Sequence, residues 1–229
     1  IEDRGSHQNH ITNNNIESNW EGIMLWYSSN NTVSNNNIKG KRWNGIIVGF
    51  SSGNIIASNN ITNFDRGVSI RDSSNNMIYE NLIINNSYGI YLILFNADNC
   101  IYHNNIINNT IQAYYELKQP GSIVIWDDGY PSGGNYWSDY LGVDSDFDGI
   151  GDTEYVIDSN NIDKYPLMGQ FSDFAATSEY SVQTICNSTI SDFQFNGTAI
   201  IFDVSGEIGT TGFCRICIPK ALMSSPFKV

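Results

Sequence analysis

The chain has 229 residues and a formal charge of −13, enough length for one large domain or two small ones. That charge argues against nucleic acid or an anionic membrane surface as a partner, because both demand a basic footprint. No apolar run is long enough to span a bilayer, no signal peptide is visible, and a chain that opens at Ile1 reads as a mature or trimmed product.

From residue 1 to about 118 the sequence repeats. Asn9, Asn31, Asn54, Asn76 and Asn99 recur at spacings of 22 and 23, and Asn14, Asn36, Asn59, Asn81 and Asn104 repeat the series. Two apolar columns keep step: Ile11, Val33, Ile56, Ile78, Ile101, and Ile16, Ile38, Ile61, Ile83, Ile106. A glycine column, Gly22, Gly45, Gly67 and Gly89, is followed each time by Ile or Val. Apolar residues that alternate over four to six positions mean strands. A coil of 22–23 residues built from short strands and turns predicts a right-handed, single-stranded parallel β-helix of five coils. Inward Ile and Val then stack into a continuous core. Asn at the corners tolerates left-handed backbone and ladders its amides along the axis, and Gly supplies positive φ or room. Cys100 shares a column with Met77, Ile55, Thr32 and His10, which predicts a packing or turn position.

Two features exceed the repeat. Trp20 and Trp43 each sit two residues before the glycine of successive coils, with Phe64 and Tyr88 near that column on the next two. Four aromatics along one edge would make a stacking strip for sugar rings; the alternative is aromatics folded over the turn to shield the core. Sequons at Asn30, Asn60, Asn85, Asn108, Asn187 and Asn196 are candidate glycosylation sites and fit an exported protein.

The strings SSNNTVSNNNI, SSGNIIASNNI and SSNNMIYENLI resemble the repeats of the NosD-like family, within the broader CASH group of carbohydrate-binding and sugar-hydrolase β-helices. The resemblance covers about half the chain and implies the fold more firmly than a function. NosD itself serves copper-centre maturation, but no clustered Met, His or Cys supports copper here.

Residues 119–170 break the pattern. Pro120, Pro131 and Gly133-Gly134 mark irregular backbone, and Trp126, Tyr130, Tyr136, Trp137 and Tyr140 supply bulk to cap the solenoid. The GGNYWSDY string and the acidic loop after it resemble the closing segment of archaeal NosD-like surface proteins. Asp144-x-Asp146-x-Asp148-Gly149-x-x-Asp152 follows the oxygen spacing of an EF-hand loop, with the Ile150 carbonyl at position seven. Tyr155 replaces the bidentate Glu at position twelve, so Asp158 or Asp163 would complete the shell of a structural Ca²⁺. A solvated acidic turn is the plainer alternative.

Residues 171–229 read as antiparallel strands of a small β-sandwich, separated by Asn-Gly and Gly-Thr-Thr-Gly turns. They resemble a C-terminal module of archaeal surface proteins. Cys214-x-x-Cys217 lacks the partners of a zinc set; a disulfide from Cys186 to one of the two, or free thiols, both remain open.

No catalytic residues are assigned. The charged group Asp65-Arg66 with Arg71-Asp72 reads better as surface ion pairs than as catalytic machinery. The expectation is therefore an exported, Ca²⁺-stabilised surface or extracellular protein that binds a glycan or cell-envelope component. A polysaccharide lyase or glycoside hydrolase, and a subunit that self-assembles by coil ends or sheet edges, are the alternatives.

Overall fold

The computed structural model describes residues 1–209 and 211–223, so the tail of the 171–229 module lies outside the described residues. The repeat folds as a parallel β-solenoid with three sheets of six strands each. The first sheet stacks Glu2–Arg4, Ile23–Trp26, Asn44–Gly49, Arg66–Ser74, Tyr88–Ala97 and Ile111–Glu116. The second stacks His10–Thr12, Thr32–Ser34, Ile55–Ala57, Met77–Tyr79, Asn99–Tyr102 and Val124–Ile125. The third runs from Asn15–Glu17 through Asn37–Lys39, Asn60–Thr62, Leu82–Ile84 and Asn105–Ile107 to Tyr136–Trp137. The sixth strands of the second and third sheets thus come from the segment after residue 118.

Register keeps like above like. Ile16, Ile38, Ile61, Ile83, Ile106 and Trp137 are successive partners in the third sheet. From Ile38 to Ile106 this column is fully shielded from solvent. In the first sheet Ile23, Ile46, Val68 and Ile90 do the same, one pleat from Leu25, Val48, Ile70 and Leu92.

Corners divide labour between two adjacent residues. The left-handed position is taken by Asn13, Asn35, Ser58, Glu80 and His103, with φ between 55° and 58°, so the ladder Asn that follows is not itself the left-handed residue. The ladder Asn turns inward instead. Asn31 donates both its backbone N–H (2.9 Å) and its Nδ2 (3.1 Å) to Oδ1 of Asn54, and Asn54 repeats the pair on Asn76. The column glycines serve for room: a Cβ on Gly45 would lie 2.3 Å from Ile61 and 2.6 Å from the Gly67 carbonyl oxygen.

Past Ile125 the chain closes the solenoid with Trp126 and Trp137, each 1% exposed, their rings 5.9 Å apart. A hairpin of Tyr155–Asp158 and Asn161–Asp163 covers them, with Tyr155 stacked on Trp137 at 4.2 Å. Two small antiparallel sheets follow. One holds Gln170–Ala175, Ser181–Cys186 and Cys214–Cys217, the other Thr189–Phe195 and Ile200–Ser205. Phe174 stacks on Phe193 between them at 4.7 Å. The first sheet docks on the solenoid where Asn105 exchanges two 2.8 Å hydrogen bonds with the backbone of Phe171.

Candidate functional site

Two surfaces collect the residues singled out by the sequence. The first is the acidic loop. Carboxylate oxygens of Asp144, Asp146 and Asp148 lie within 4.8 Å of one another. The loop is preformed by its own carboxylates: Asp144 accepts the amides of Asp148 (3.1 Å) and Gly149 (2.8 Å), and Asp148 accepts that of Ile150 (2.8 Å). Gly149 turns the chain at φ 84°. Asp152 stands outside the triad and accepts the Ser145 amide at 2.8 Å, and hydrogen bonding from Ser145 holds its carboxyl below the usual carboxylate range. Desolvation, then Asp148 and Asp144, pushes the Asp146 carboxyl up. The Ile150 side chain is buried beside Leu167 and Phe171, which anchors the loop's exit to the core of the C-terminal part.

Asp163 does not belong to this group, a correction to the ligand set expected from sequence. It is fully buried in the cap, where Oδ2 accepts the Asn135 amide (2.7 Å) and Trp137 Nε1 (2.8 Å), and Oδ1 accepts the Tyr165 amide (3.1 Å). Asp158 is also committed elsewhere, to Lys118 at 2.9 Å and to the amides of Asn160 and Asn161.

The second surface is the aromatic edge. Trp20 and Trp43 are 57% and 52% exposed and meet edge to face at 5.4 Å. Trp43 holds φ at 51°, costly for a bulky residue, and Asp65 Oδ2 takes its amide at 2.9 Å. Phe64 does not join the strip. It is 2% exposed and its ring fills the space that the missing side chain of Gly40 leaves, so it belongs to the core. Tyr88 is half-buried and lies over Arg66 in register, near Tyr91 (5.1 Å) and Tyr114 (5.6 Å).

Beside Trp43 a groove of about 410 Å³ runs along the outer face of the first sheet, between Trp26, Arg66 and Arg71. Sequence reasoning missed Trp26. The signal was its parity: in Ile23-Met24-Leu25-Trp26 the first and third residues are buried, which turns the second and fourth outward. Asp72 is committed to the backbone, accepting the Phe95 amide at 3.2 Å; it sits 3.8 Å from Arg71, while Arg66 stacks over Tyr91 at 4.0 Å.

All six sequon asparagines lie at exposed positions. The four cysteines are free thiols; Cys186 and Cys214 stand opposite each other on neighbouring strands, and burial followed by contact with Cys186 pushes the Cys214 thiol up.

Residues 3–142 match a family described as "Periplasmic copper-binding protein (NosD)". The chain belongs to the NosD family. No curated protein matches it. Copper favours imidazole, thiolate and thioether donors. Among the described residues the one group of three or more His, Cys, Asp or Glu donors is the all-oxygen Asp triad. His7 and His10 are exposed on the first coil, while His103 is buried four coils on, stacked on Phe171 at 4.0 Å. That hard-oxygen triad does not match the donor preference of copper. The described residues also contain no helix long and apolar enough to cross a membrane.

Proposed function

We propose that this NosD-family chain acts outside the cytoplasm as a glycan-binding surface protein whose acidic loop is tied by Ca²⁺. The Trp20–Trp43 pair carries the glycan reading. Two large rings stand more than half exposed on adjacent coils, packed edge to face on each other, and Trp43 holds its place on strained backbone. Ring faces beside polar corners match the alternating apolar face and hydroxyl rim of a sugar. The exposed sequons and the family's periplasmic description support the location. For the loop, an oxygen-only triad on a positive-φ glycine turn supports a hard cation, and Asp152 at position nine commonly acts through water in such loops. Asp65 and Asp72 are occupied as backbone acceptors, which favours binding over hydrolysis at this face.

A glycan array with wild type and the Trp20→Ala/Trp43→Ala double variant tests the reading. Loss of signal in a variant that keeps its melting temperature is expected. Unchanged binding would remove the aromatic edge from the function.

A further inference from the structure

The groove beside Trp43 holds polar atoms that the protein itself leaves unpartnered. Four buried side-chain polar atoms among the described residues lack a hydrogen bond, and two of them, Asn44 Oδ1 and Arg71 Nε, belong to residues lining this groove. Buried polar groups are almost always paired, so two orphans in one concavity mark a place where a ligand completes the network. They are of opposite kind: Arg71 Nε needs an acceptor, Asn44 Oδ1 needs a donor. The amide nitrogen of Asn44 is already directed to Glu21 at 3.4 Å, which leaves its oxygen as the free half.

Charge narrows the ligand further. The chain as a whole carries −13, yet the groove is lined by Arg4, Arg66 and Arg71 against Glu21, and of the three arginines Arg4 is already paired with Glu2. Arg66 forms no ion pair among the described residues and is held from behind by Tyr91, whose ring sits 4.0 Å from the guanidinium. Arg71 has one acidic neighbour, Asp72, at 3.8 Å, beyond hydrogen-bond length. Arg66 pairs in register with Asn44, and Arg71 with Gly49, over which the Trp26 ring lies because no Cβ is there. Planar guanidinium forks suit carboxylate or sulfate oxygens.

We infer that this groove binds an anionic sugar unit, a uronate or a sulfated residue, with its acidic group on Arg66 and Arg71, a hydroxyl donated to Asn44 Oδ1, and neighbouring rings on Trp43 and Trp26. The inference rests on the glycan-binding reading and names its substrate class. A uronate supplies in one unit the acceptor, the donor and the apolar ring face that the groove calls for. The Trp20–Trp43 edge continues the site to the next unit of the chain.

The test is calorimetric titration of the full chain with a hexuronate oligosaccharide, a sulfated one, their neutral counterpart and a poly-glutamate peptide of similar charge. Wild type, Arg66→Gln and Arg71→Gln are compared, with thermal melts to show that each folds. Expected are binding of the uronate or sulfated sugar over the neutral one, weakening with added salt, and a loss of roughly tenfold or more in Arg66→Gln. The preferred acidic sugar separates carboxylate from sulfate recognition. Equal affinity for neutral and acidic sugars, unchanged in Arg66→Gln, overturns the anionic assignment and leaves glycan binding standing. Poly-glutamate bound as tightly as the sugars overturns the sugar assignment. No binding to any glycan overturns both. Should Arg71→Gln not fold, Arg66→Gln alone decides.

Discussion

Single residues divide here into those that hold the coil and those the coil displays. Asn59 is 1% exposed. Its Nδ2 reaches the carbonyls of Val33 (2.9 Å) and Ala57 (3.0 Å), and its Oδ1 accepts two hydrogen bonds from Asn36. Asn59→Ala strands several of these groups away from water, at roughly 1–3 kcal/mol each where buried. Asn37→Ala removes an exposed amide from an outer row and should stay within about 0.5 kcal/mol. Urea midpoints of the two variants check this; equal losses would mean that the inner ladder is not what fixes the corner. Asp163 is the residue with a pH signature. Burial pushes its carboxyl from the ordinary 3.8 up to about 7, against the pull of the Asn135, Trp137 and Tyr165 N–H donors. Between those values the folded state holds a proton that the unfolded chain has released, so the contribution is complete below about 3.8 and is lost as pH rises to about 7. Stability should fall across that window by up to about 1.4 kcal/mol per pH unit and flatten above it. Asp163→Asn lowers stability overall but should remove that slope; an unchanged slope would assign it to other carboxylates.

At the scale of elements, the Asp144–Asp152 loop and the cap behave differently under sequence reading. The loop is local, so its spacing alone brought Asp144, Asp146 and Asp148 together. Cation binding to the folded state alone adds about 2.7 kcal/mol at a hundredfold excess over Kd. At about 2–4 °C per kcal/mol for this size, Ca²⁺ should raise Tm by roughly 5–10 °C. Chelator should reverse the rise and Asp146→Ala should abolish it; a melt indifferent to both would leave the loop a solvated turn. The solenoid was legible because every coil restates the same columns, so one noisy position such as Cys100 could not hide the period. The cap has no such redundancy. Asn135 is the sixth member of the Asn14 ladder, accepting at Oδ1 from Asn104 at 3.1 and 2.9 Å, but it lies 31 residues on because the chain takes a longer path between the Val124–Ile125 and Tyr136–Trp137 strands. Asp163 was drawn toward the loop by nearness in sequence, whereas burial under Trp137 decides its place. Phe64 lay near the column of exposed tryptophans, but only the fold reveals the hole over Gly40 that takes its ring. Spacing reports what repeats or is local; single-copy contacts across many residues leave no period to read.

For the whole molecule, coil n touches only coils n−1 and n+1, so stability is a chain of neighbour interfaces and not one shared core. The last interface is the cap, and Trp137 is its centre. Its ring is 1% exposed, stacks on Tyr155, approaches Trp126, and donates Nε1 to Asp163. Trp137→Ala removes a large buried side chain, at about 3–5 kcal/mol, and also leaves Asp163 short of a donor. In a globule with a single core, that loss would lower protection of every slowly exchanging amide. In a solenoid it should be graded. Hydrogen exchange in Trp137→Ala should accelerate most at Asn99–Tyr102 and Asn105–Ile107, whose outer partners are the Val124–Ile125 and Tyr136–Trp137 strands. It should accelerate less at Met77–Tyr79 and little at Thr32–Ser34, three coils from Asn99–Tyr102. A uniform increase would instead show the coils unfolding as one unit. The same gradient protects the proposed aromatic edge: Trp20 and Trp43 lie on coils remote from the cap, so glycan binding there should survive in Trp137→Ala under conditions where the last coil is frayed.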